Sequence, residues 1–335
     1  MNTILVTGGA GYVGSHAVVE LLNEGYEVVV YDNLRNSKEE SIKRIEEITG
    51  KSIQFFNGDI LDEASLRKLF AVFDFKAVMH FAGLKSVSES IEKPLDYYQN
   101  NVQGTLILCK VMKDFNVKKI IFSSSATVYG NPSELPISEK APTGQIENPY
   151  GRSKYVIEKI LTDIAISEKD WQVSLLRYFN PVGAHESGLI GEDPTSKPNN
   201  LMPLIAQVAV GGYDLITIWG NDYPTADGTG VRDYIHVVDL VKGHIQALKK
   251  NISGIKIYNL GTGKGYSVLE VINAFESVSG QKIKYEIGPR RSGDIASAYA
   301  NAELALKELK WSANFGLKKM CLDTWNWQSK NPEGY

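Results

Sequence analysis

At 335 residues the chain has room for two domains, or for one large domain with a second lobe, and for a sizeable core. Lysine and arginine total 36 against 39 aspartates and glutamates, so no strong field draws the protein to nucleic acid or to a membrane surface. Two cysteines exclude a disulfide framework, no apolar run approaches the roughly 18 residues of a membrane span, and a strand beginning by Thr3 leaves no room for a signal peptide, so a cytoplasmic protein is expected.

In chain order, short β-rich runs recur at Ile4–Val6, Val28–Tyr31, Ile53–Phe56, Ala77–Phe81, Lys119–Phe122 and Val173–Arg177, with helical stretches between them. Nearly continuous apolar strands alternating with helices predict a parallel sheet covered on both faces, an α/β doubly wound (Rossmann) architecture with its ligand crevice at the carboxyl ends of the strands. After Phe179-Asn180-Pro181 the composition shifts to Gly, Pro, Asn and Asp, which predicts a smaller lobe. The expected division is a dinucleotide-binding domain over residues 1–180 and a substrate lobe over 181–335, with segments near 235–262 returning to the first.

The first strand runs into Thr7-Gly8-Gly9-Ala10-Gly11-Tyr12-Val13-Gly14, and helical spacing follows from His16 to Asn23. Gly8, Gly11 and Gly14 allow a tight turn and close approach of backbone to a pyrophosphate at a helix amino terminus. Asp32 ends the second strand, where a carboxylate can hold the adenosine ribose and repel a 2′-phosphate, so NAD is expected over NADP. Arg35 keeps the second option open, since an arginine there can host that phosphate.

Asn148-Pro149 is a helix start, an N-cap followed by proline at the first helical position. It leads into Tyr150-Gly151-Arg152-Ser153-Lys154, which puts a phenol and an ammonium at i and i+4 on one helix face. Ile157, Ile160, Leu161 and Ile164 continue an inward stripe. Bringing a phenol from a pKa of about 10 to neutrality takes roughly 4 kcal/mol. One positive charge about 4 Å away supplies about that much at an effective dielectric of about 20. The expectation is a Tyr150 lowered by Lys154 together with the positive charge of an oxidised nicotinamide and acting on an alcohol or carbonyl, with Ser125 of Ser123-Ser124-Ser125 orienting the reacting oxygen. The five histidines, His16, His80, His185, His236 and His244, lack metal-ligand spacing, so no metal is expected.

The Gly-x-x-Gly-x-x-Gly spacing resembles the short-chain dehydrogenase/reductase superfamily. The runs 80–85 (HFAGLK), 123–130 (SSSATVYG), 176–185 (LRYFNPVGAH), 198–203 (PNNLMP), 220–236 (GNDYPTADGTGVRDYIH) and 258–261 (YNLG) resemble the UDP-glucose 4-epimerase family within it, and the likeness extends over nearly the whole chain. The resemblance implies NAD held by Gly8, Gly11, Tyr12, Val13, Gly14, Asp32, Asn33, Leu34, Asn36, Ser37, Asp59, Ile60, Phe81, Ala82, Gly83, Lys85, Asn100, Ser123, Tyr150, Lys154 and Phe179. It implies a UDP-hexose held by Lys85, Ser125, Tyr150, Phe179, Asn180, Asn200, Leu201, Thr217, Ile218, Trp219, Arg232, Tyr234, Arg291, Asp294 and Ala298. Arg232 and Arg291 are also suited in themselves to the diphosphate, as bidentate donors.

The implied reaction is reversible 4-epimerisation of UDP-glucose and UDP-galactose through a 4-keto sugar, in a homodimer. Related dehydratases carry an acidic pair just after the serine, where this chain has Ala126 and Thr127. A dehydratase, a cofactor-releasing reductase and a non-catalytic dinucleotide sensor remain the alternatives. The position four beyond Asp294 is Ala298, where some relatives that prefer unmodified hexoses have tyrosine. The expectation is a pocket that also admits UDP-N-acetylglucosamine, unless a one-residue register shift puts Tyr299 there.

Overall fold

The structure is a computed structural model that describes residues 2–194, 198–291 and 293–335. The chain opens with β1 (Thr3–Thr7), α1 (Tyr12–Asn23), β2 (Glu27–Asp32), α2 (Glu40–Thr49), β3 (Gln54–Asn57), α3 (Glu63–Val72), β4 (Phe75–His80), α4 (Val87–Glu92) and α5 (Pro94–Tyr97). A π-helical stretch, Tyr98–Gln103, then leads into α6 (Gly104–Asp114), β5 (Lys119–Ser125), a 3₁₀ turn over Ala126–Tyr129, α7 (Pro149–Ser167) and β6 (Gln172–Tyr178). There follow β7 (Asn180–Val182), α8 (Leu201–Ala209), β8 (Ile216–Trp219), β9 (Val231–His236), α9 (Val237–Lys249) and β10 (Gly254–Leu260). The chain closes with β11 (Gly265–Ser267), α10 (Val268–Ser279), β12 (Tyr285–Gly288), β13 (Ser297–Ala298), α11 (Glu303–Leu309) and α12 (Leu317–Lys330).

Two compact units emerge, one of residues 1–130, 142–178 and 241–258, the other of 131–141, 179–240 and 259–335. The first holds a seven-stranded sheet in the order β10-β6-β5-β4-β1-β2-β3. The chain winds outward from β1 through β2 and β3, then returns to β4 on the other side, so β1 and β4 flank the switch point where a crevice opens at the strand ends. Runs such as Ile4-Leu5-Val6 and Ala77-Val78-Met79 are buried on both faces because helices cover both sides. Leu5, Val78, Phe122, Leu161 and Trp171 lie in one core cluster, and a large apolar side chain buried this way contributes about 1.5–3 kcal/mol.

In the second unit β9 is the hub, flanked by β11, β13 and β7, while β8 and β12 pair as a separate ribbon. Met202, Ile205, Phe275 and Met320 of α8, α10 and α12 join Ile216 and Ile218 in its core. Asp233 is buried at the centre of this unit and accepts from Thr262 N (2.9 Å), Thr262 Oγ1 (2.6 Å), Gly263 N (2.9 Å) and Ala300 N (3.1 Å). Four donors satisfy a carboxylate whose pKa burial pushes up, and they pin the chain just beyond β13.

Candidate active site

Within the first unit, the loop between β1 and α1 is shaped so that only glycine fits. Gly8 has φ +71°, and a Cβ there would lie 2.6 Å from Ala82 N. A Cβ on Gly14 would lie 2.1 Å from the Gly8 carbonyl oxygen. Ala82 and Phe81 both donate their N–H groups to the Thr7 carbonyl at 3.0 Å, which draws the Phe81-Ala82-Gly83 segment against the glycine loop. Among the described residues no side chain caps α1 at Gly11, and a helix amino terminus without a side-chain cap is a ready anion site. That close-packed cradle suits the pyrophosphate of a dinucleotide.

Asp32 ends β2 buried, accepting from Ala10 N (3.0 Å), Leu34 N (2.9 Å) and Ser37 Oγ (2.9 Å). Leu34 is left-handed at φ 57°, which folds the loop back over the carboxylate. Asn33 donates to Asp59 Oδ2 at 2.9 Å, joining the loops after β2 and β3, where Ile60 is buried. Arg35 reaches Asp96 at 3.4 Å, both about half exposed, while Asn36 is exposed. Lys85 lies 5.7 Å above the Tyr12 ring, beside the helix amino terminus.

Asn148 caps α7 by accepting from Gly151 N at 2.8 Å, with Pro149 at the first helical position. This start delivers Tyr150 and Lys154 toward the end of β5. Ser125 Oγ accepts from Thr127 Oγ1 at 2.9 Å and from Thr127 N at 3.2 Å, and its side chain acts to lower the pKa of the Tyr150 phenol. With its acceptor side filled by Thr127, the Ser125 hydroxyl is left to donate. Lys154, buried, donates to the Ser123 carbonyl at 2.7 Å and lies 4.8 Å over the Phe122 ring.

The electrostatics differ from the expectation that Lys154 lowers Tyr150. Burial pushes the Tyr150 phenol up, and the Ser125 hydrogen bond only partly offsets it. Tyr97, itself buried, meets the Tyr150 ring edge-on at 6.5 Å and contributes to that apolar setting. Burial also brings the Lys154 ammonium down to about 8, against the charge of Glu158 one turn on. In the protein alone desolvation is the larger effect on the phenol, and Ser125 rather than Lys154 is what opposes it.

Several supporting residues had no sequence signal. Asn101, in the π-helical stretch, accepts from Leu84 N (2.8 Å) and donates to Leu84 O (3.0 Å) and Ser153 Oγ (3.1 Å). It thereby joins the loop after β4 to α7, and Asn100 donates to its carbonyl oxygen at 2.9 Å. Glu158 takes two bonds from Arg177, at 3.0 and 2.7 Å, and one from Ser124 Oγ at 2.6 Å, tying α7 to β5 and β6. Thr105 gives its hydroxyl hydrogen to Asn101 O (2.6 Å), so His80 Nε2–H donates to Thr105 Oγ1 (2.9 Å) and His80 Nδ1 accepts from Thr7 Oγ1 (2.7 Å). Burial, with the Lys154 charge second, brings the His80 pKa down to about 3 and keeps it neutral. Tyr178, paired with Ser125 across β5 and β6, hydrogen-bonds His244.

In the second unit, Trp219 is 41% exposed at the end of β8, and Arg291 stands 5.8 Å over its ring. Arg291 also pairs with Asp294 at 2.9 Å, and Arg232 approaches the same carboxylate at 3.9 Å. Arg232 is fixed by Val231 O (2.9 Å) and Ile295 O (2.8 Å), so the three candidate anchors sit together. Ser292, between them in sequence, lies outside the described residues. Thr217 donates to Glu286 at 3.1 Å, and Asn200, heading α8 just before Leu201, donates to Glu192 at 3.3 Å. Ile218 and Tyr234 are packed in the core, where burial brings the Tyr234 phenol up to about 12. Phe179 is buried and donates its N–H to Leu260 O at 3.2 Å, and Asn180 is exposed opposite Tyr234. Ala298 lies opposite Arg232 in the β13–β9 pairing, with Ser297 opposite Val231, so Tyr299 alternates to the other face.

Among the described residues no group of three or more His, Cys, Asp or Glu side chains could hold a metal ion, and no helix is long and apolar enough to cross a membrane.

A family model described as "NAD dependent epimerase/dehydratase family" matches residues 4–261. UDP-glucose 4-epimerase of Bacillus subtilis is 58% identical over 334 residues, spanning 99% of this chain and 98% of that protein. The Bos taurus enzyme of the same name is 56% identical over 340 residues, with 99% and 98% covered. The crystal structure of Bifidobacterium longum UDP-glucose 4-epimerase in complex with NAD+ and UDP is 55% identical, covers all of both chains, and superposes with a TM-score of 0.97.

Proposed function

The chain belongs to the NAD dependent epimerase/dehydratase family, and from that membership we propose that it catalyses reversible 4-epimerisation of UDP-glucose and UDP-galactose with NAD as its resident cofactor. The observation that carries this reading is Ser125, held by Thr127 and acting on the Tyr150 phenol, with Lys154 on the same helix and Ala126 and Thr127 offering no acid for dehydration. The Gly8–Gly14 cradle, the α1 amino terminus and the Asp32 loop would hold NAD. When bound, NAD accepts and returns a hydride and, in its oxidised form, adds a positive charge near the phenol.

Tyr150 takes the proton of the sugar 4-hydroxyl as C4 gives up its hydride, and Ser125 donates to the same oxygen. Lys154 keeps a positive charge close to the phenol and so favours its ionised form. The 4-keto sugar turns its other face, hydride returns to C4, and Tyr150 gives the proton back, with no net oxidation. Arg232, Arg291 and Asp294 grip the nucleotide while the hexose turns, since binding energy from a remote part of the substrate leaves the reacting part free to move. Purified protein incubated with UDP-galactose should form UDP-glucose without added NAD. A requirement for added nicotinamide with stoichiometric change in it would establish a reductase, and no turnover at all would leave a sensor.

The small Ala298 side chain beside Arg232 supports turnover of the 2-acetamido sugars UDP-N-acetylglucosamine and UDP-N-acetylgalactosamine as well. A homodimer is supported by exposed apolar side chains on neighbouring helices, Ile91 (64%), Leu95 (79%) and Leu106 (46%) on α4 to α6 and Ile166 (70%) on α7. Sedimentation at micromolar concentration should give twice the chain mass, and a monomer would overturn that assignment. Both cysteines are free and buried, which suits a reducing cytoplasm.

A further inference from the structure

The ribbon of β8 and β12 ends at the Trp219–Gly288 pair, with Gly220 N–H donating to Gly288 O at 2.9 Å. Pro289 follows and has no N–H to continue the ladder. The turn that carries Arg291 and Asp294 therefore leaves the ribbon without backbone pairing to β8, and a side chain takes over the connection. Arg290 Nε donates to Asp222 Oδ1 at 2.7 Å, and a terminal guanidinium nitrogen donates to the Asp222 carbonyl at 2.5 Å. The same guanidinium lies 4.3 Å from the centre of the Tyr223 ring.

Its aliphatic stem crosses Gly220, where a Cβ would meet Arg290 Cγ and the Tyr223 ring edge, each at 2.8 Å. Gly220, at φ +86°, is a position only glycine fills without strain, and its bare backbone makes the crossing possible. Consecutive arginines thus reach in different directions, Arg290 to the loop after Trp219 and Arg291 over Trp219 itself. The Arg290–Asp222 pair is 45% and 70% exposed, a setting in which ion pairs contribute little to stability. Three simultaneous contacts from one exposed guanidinium set geometry more than they hold the fold.

We propose that Arg290 is a positioning residue for nucleotide binding, which clasps the turn bearing Arg291 and Asp294 to the Asn221–Tyr223 loop so that the aromatic shelf of Trp219 and the phosphate-directed guanidinium of Arg291 keep a fixed spacing. It acts through Arg291 and Trp219 and touches neither sugar nor cofactor. The assignment rests on the UDP-sugar reading above.

The test uses the holoenzyme, with UDP affinity by calorimetry, steady-state kinetics on UDP-galactose, and thermal melting. Arg290→Gln should weaken UDP and raise KM by about tenfold, equivalent to about 1.4 kcal/mol, while kcat stays within about twofold and the melting temperature scarcely moves. Arg290→Lys, which keeps the charge but not the fork, should recover part of the loss. Asp222→Asn should weaken UDP in the same direction, and combining it with Arg290→Gln should add little. Unchanged UDP affinity in Arg290→Gln overturns the proposal, as does a loss confined to kcat or explained by lowered melting temperature. If the unaltered protein neither binds UDP nor turns over UDP-galactose, the functional reading fails instead, which separates the two.

Discussion

Thr127 donates twice to Ser125, through its hydroxyl at 2.9 Å and its main-chain N–H at 3.2 Å, so the only hydrogen on Ser125 Oγ is left to donate away from Thr127. A serine hydroxyl has one hydrogen and two lone pairs, and filling the lone pairs from one direction fixes where the hydrogen points. Thr127→Val removes one of those donors while keeping the side-chain shape. It should lower kcat roughly tenfold, as expected for the loss of about one hydrogen bond's free energy. Ser125→Ala should cost more, and the double variant no more than Ser125→Ala alone. A Thr127→Val enzyme at full rate would mean that Ser125 is oriented by something else.

Lys154 offers a second prediction, because two opposing effects act on Tyr150. Burial pushes the phenol up, and by Coulomb's law a cation one helical turn away favours its ionised form. Removing the ammonium with Lys154→Met leaves burial unopposed, so the acid limb of the kcat/KM profile should move to higher pH and kcat at pH 7 should fall about 100-fold or more. Tyr150→Phe, with no proton to exchange, should fall by a factor of about 10²–10⁴ without recovering at any pH. An unmoved acid limb in Lys154→Met would assign that limb to another group.

The glycine loop, Asp32, and the Tyr150–Lys154 spacing were legible in the chain because each is local, with the turn, strand end or helix face fixed by neighbours within a few residues. The supports of the site were not. Asn101 meets Leu84 and Ser153, Glu158 meets Arg177, and Asp233 meets Thr262 and Ala300, all pairings that appear only when distant segments fold together. Asn101 is further hidden because it lies in a π-helical stretch, whose side-chain directions do not follow the 3.6-residue period. The upward push of burial on Tyr150 in the protein alone was illegible for a related reason. Charge spacing is readable from sequence, whereas desolvation depends on what Tyr97 and the helices around it exclude.

Ala298 carries the prediction on substrate range. The pairing of Ser297 with Val231 and Ala298 with Arg232 sets the strand's faces, and a one-residue slip would reverse every side chain on it. Ala298→Tyr should reduce kcat/KM for UDP-N-acetylglucosamine at least tenfold and leave that for UDP-glucose within about threefold. Equal losses on both sugars would show that the added ring disturbs nucleotide binding instead. Failure of the unaltered protein to epimerise the N-acetyl sugar, with UDP-glucose reacting well, would remove the basis of the prediction.

His80 links the cofactor loop to stability in acid. Its imidazole bridges Thr7 of β1 and Thr105 of α6 in the neutral form, with burial holding the pKa near about 3 against 6.5 for an unperturbed ring. A group whose pKa is depressed by folding contributes its stability above the unfolded value and loses it as the pH falls toward the folded value. From about pH 6.5 downward the unfolded chain takes up a proton at this site that the native protein refuses, at about 1.4 kcal/mol per pH unit. His80→Gln keeps hydrogen-bonding capacity and removes the titration. It should be less stable than the parent at pH 7, because the bridge is reshaped, but the difference should shrink by on the order of 2 kcal/mol by pH 5. Urea melts of both proteins at the two pH values measure this directly, since the carboxylates common to them cancel in the comparison. Parallel losses of stability in the two proteins would mean that His80 is protonated in the native fold and that the Thr7–His80–Thr105 bridge tolerates the charge.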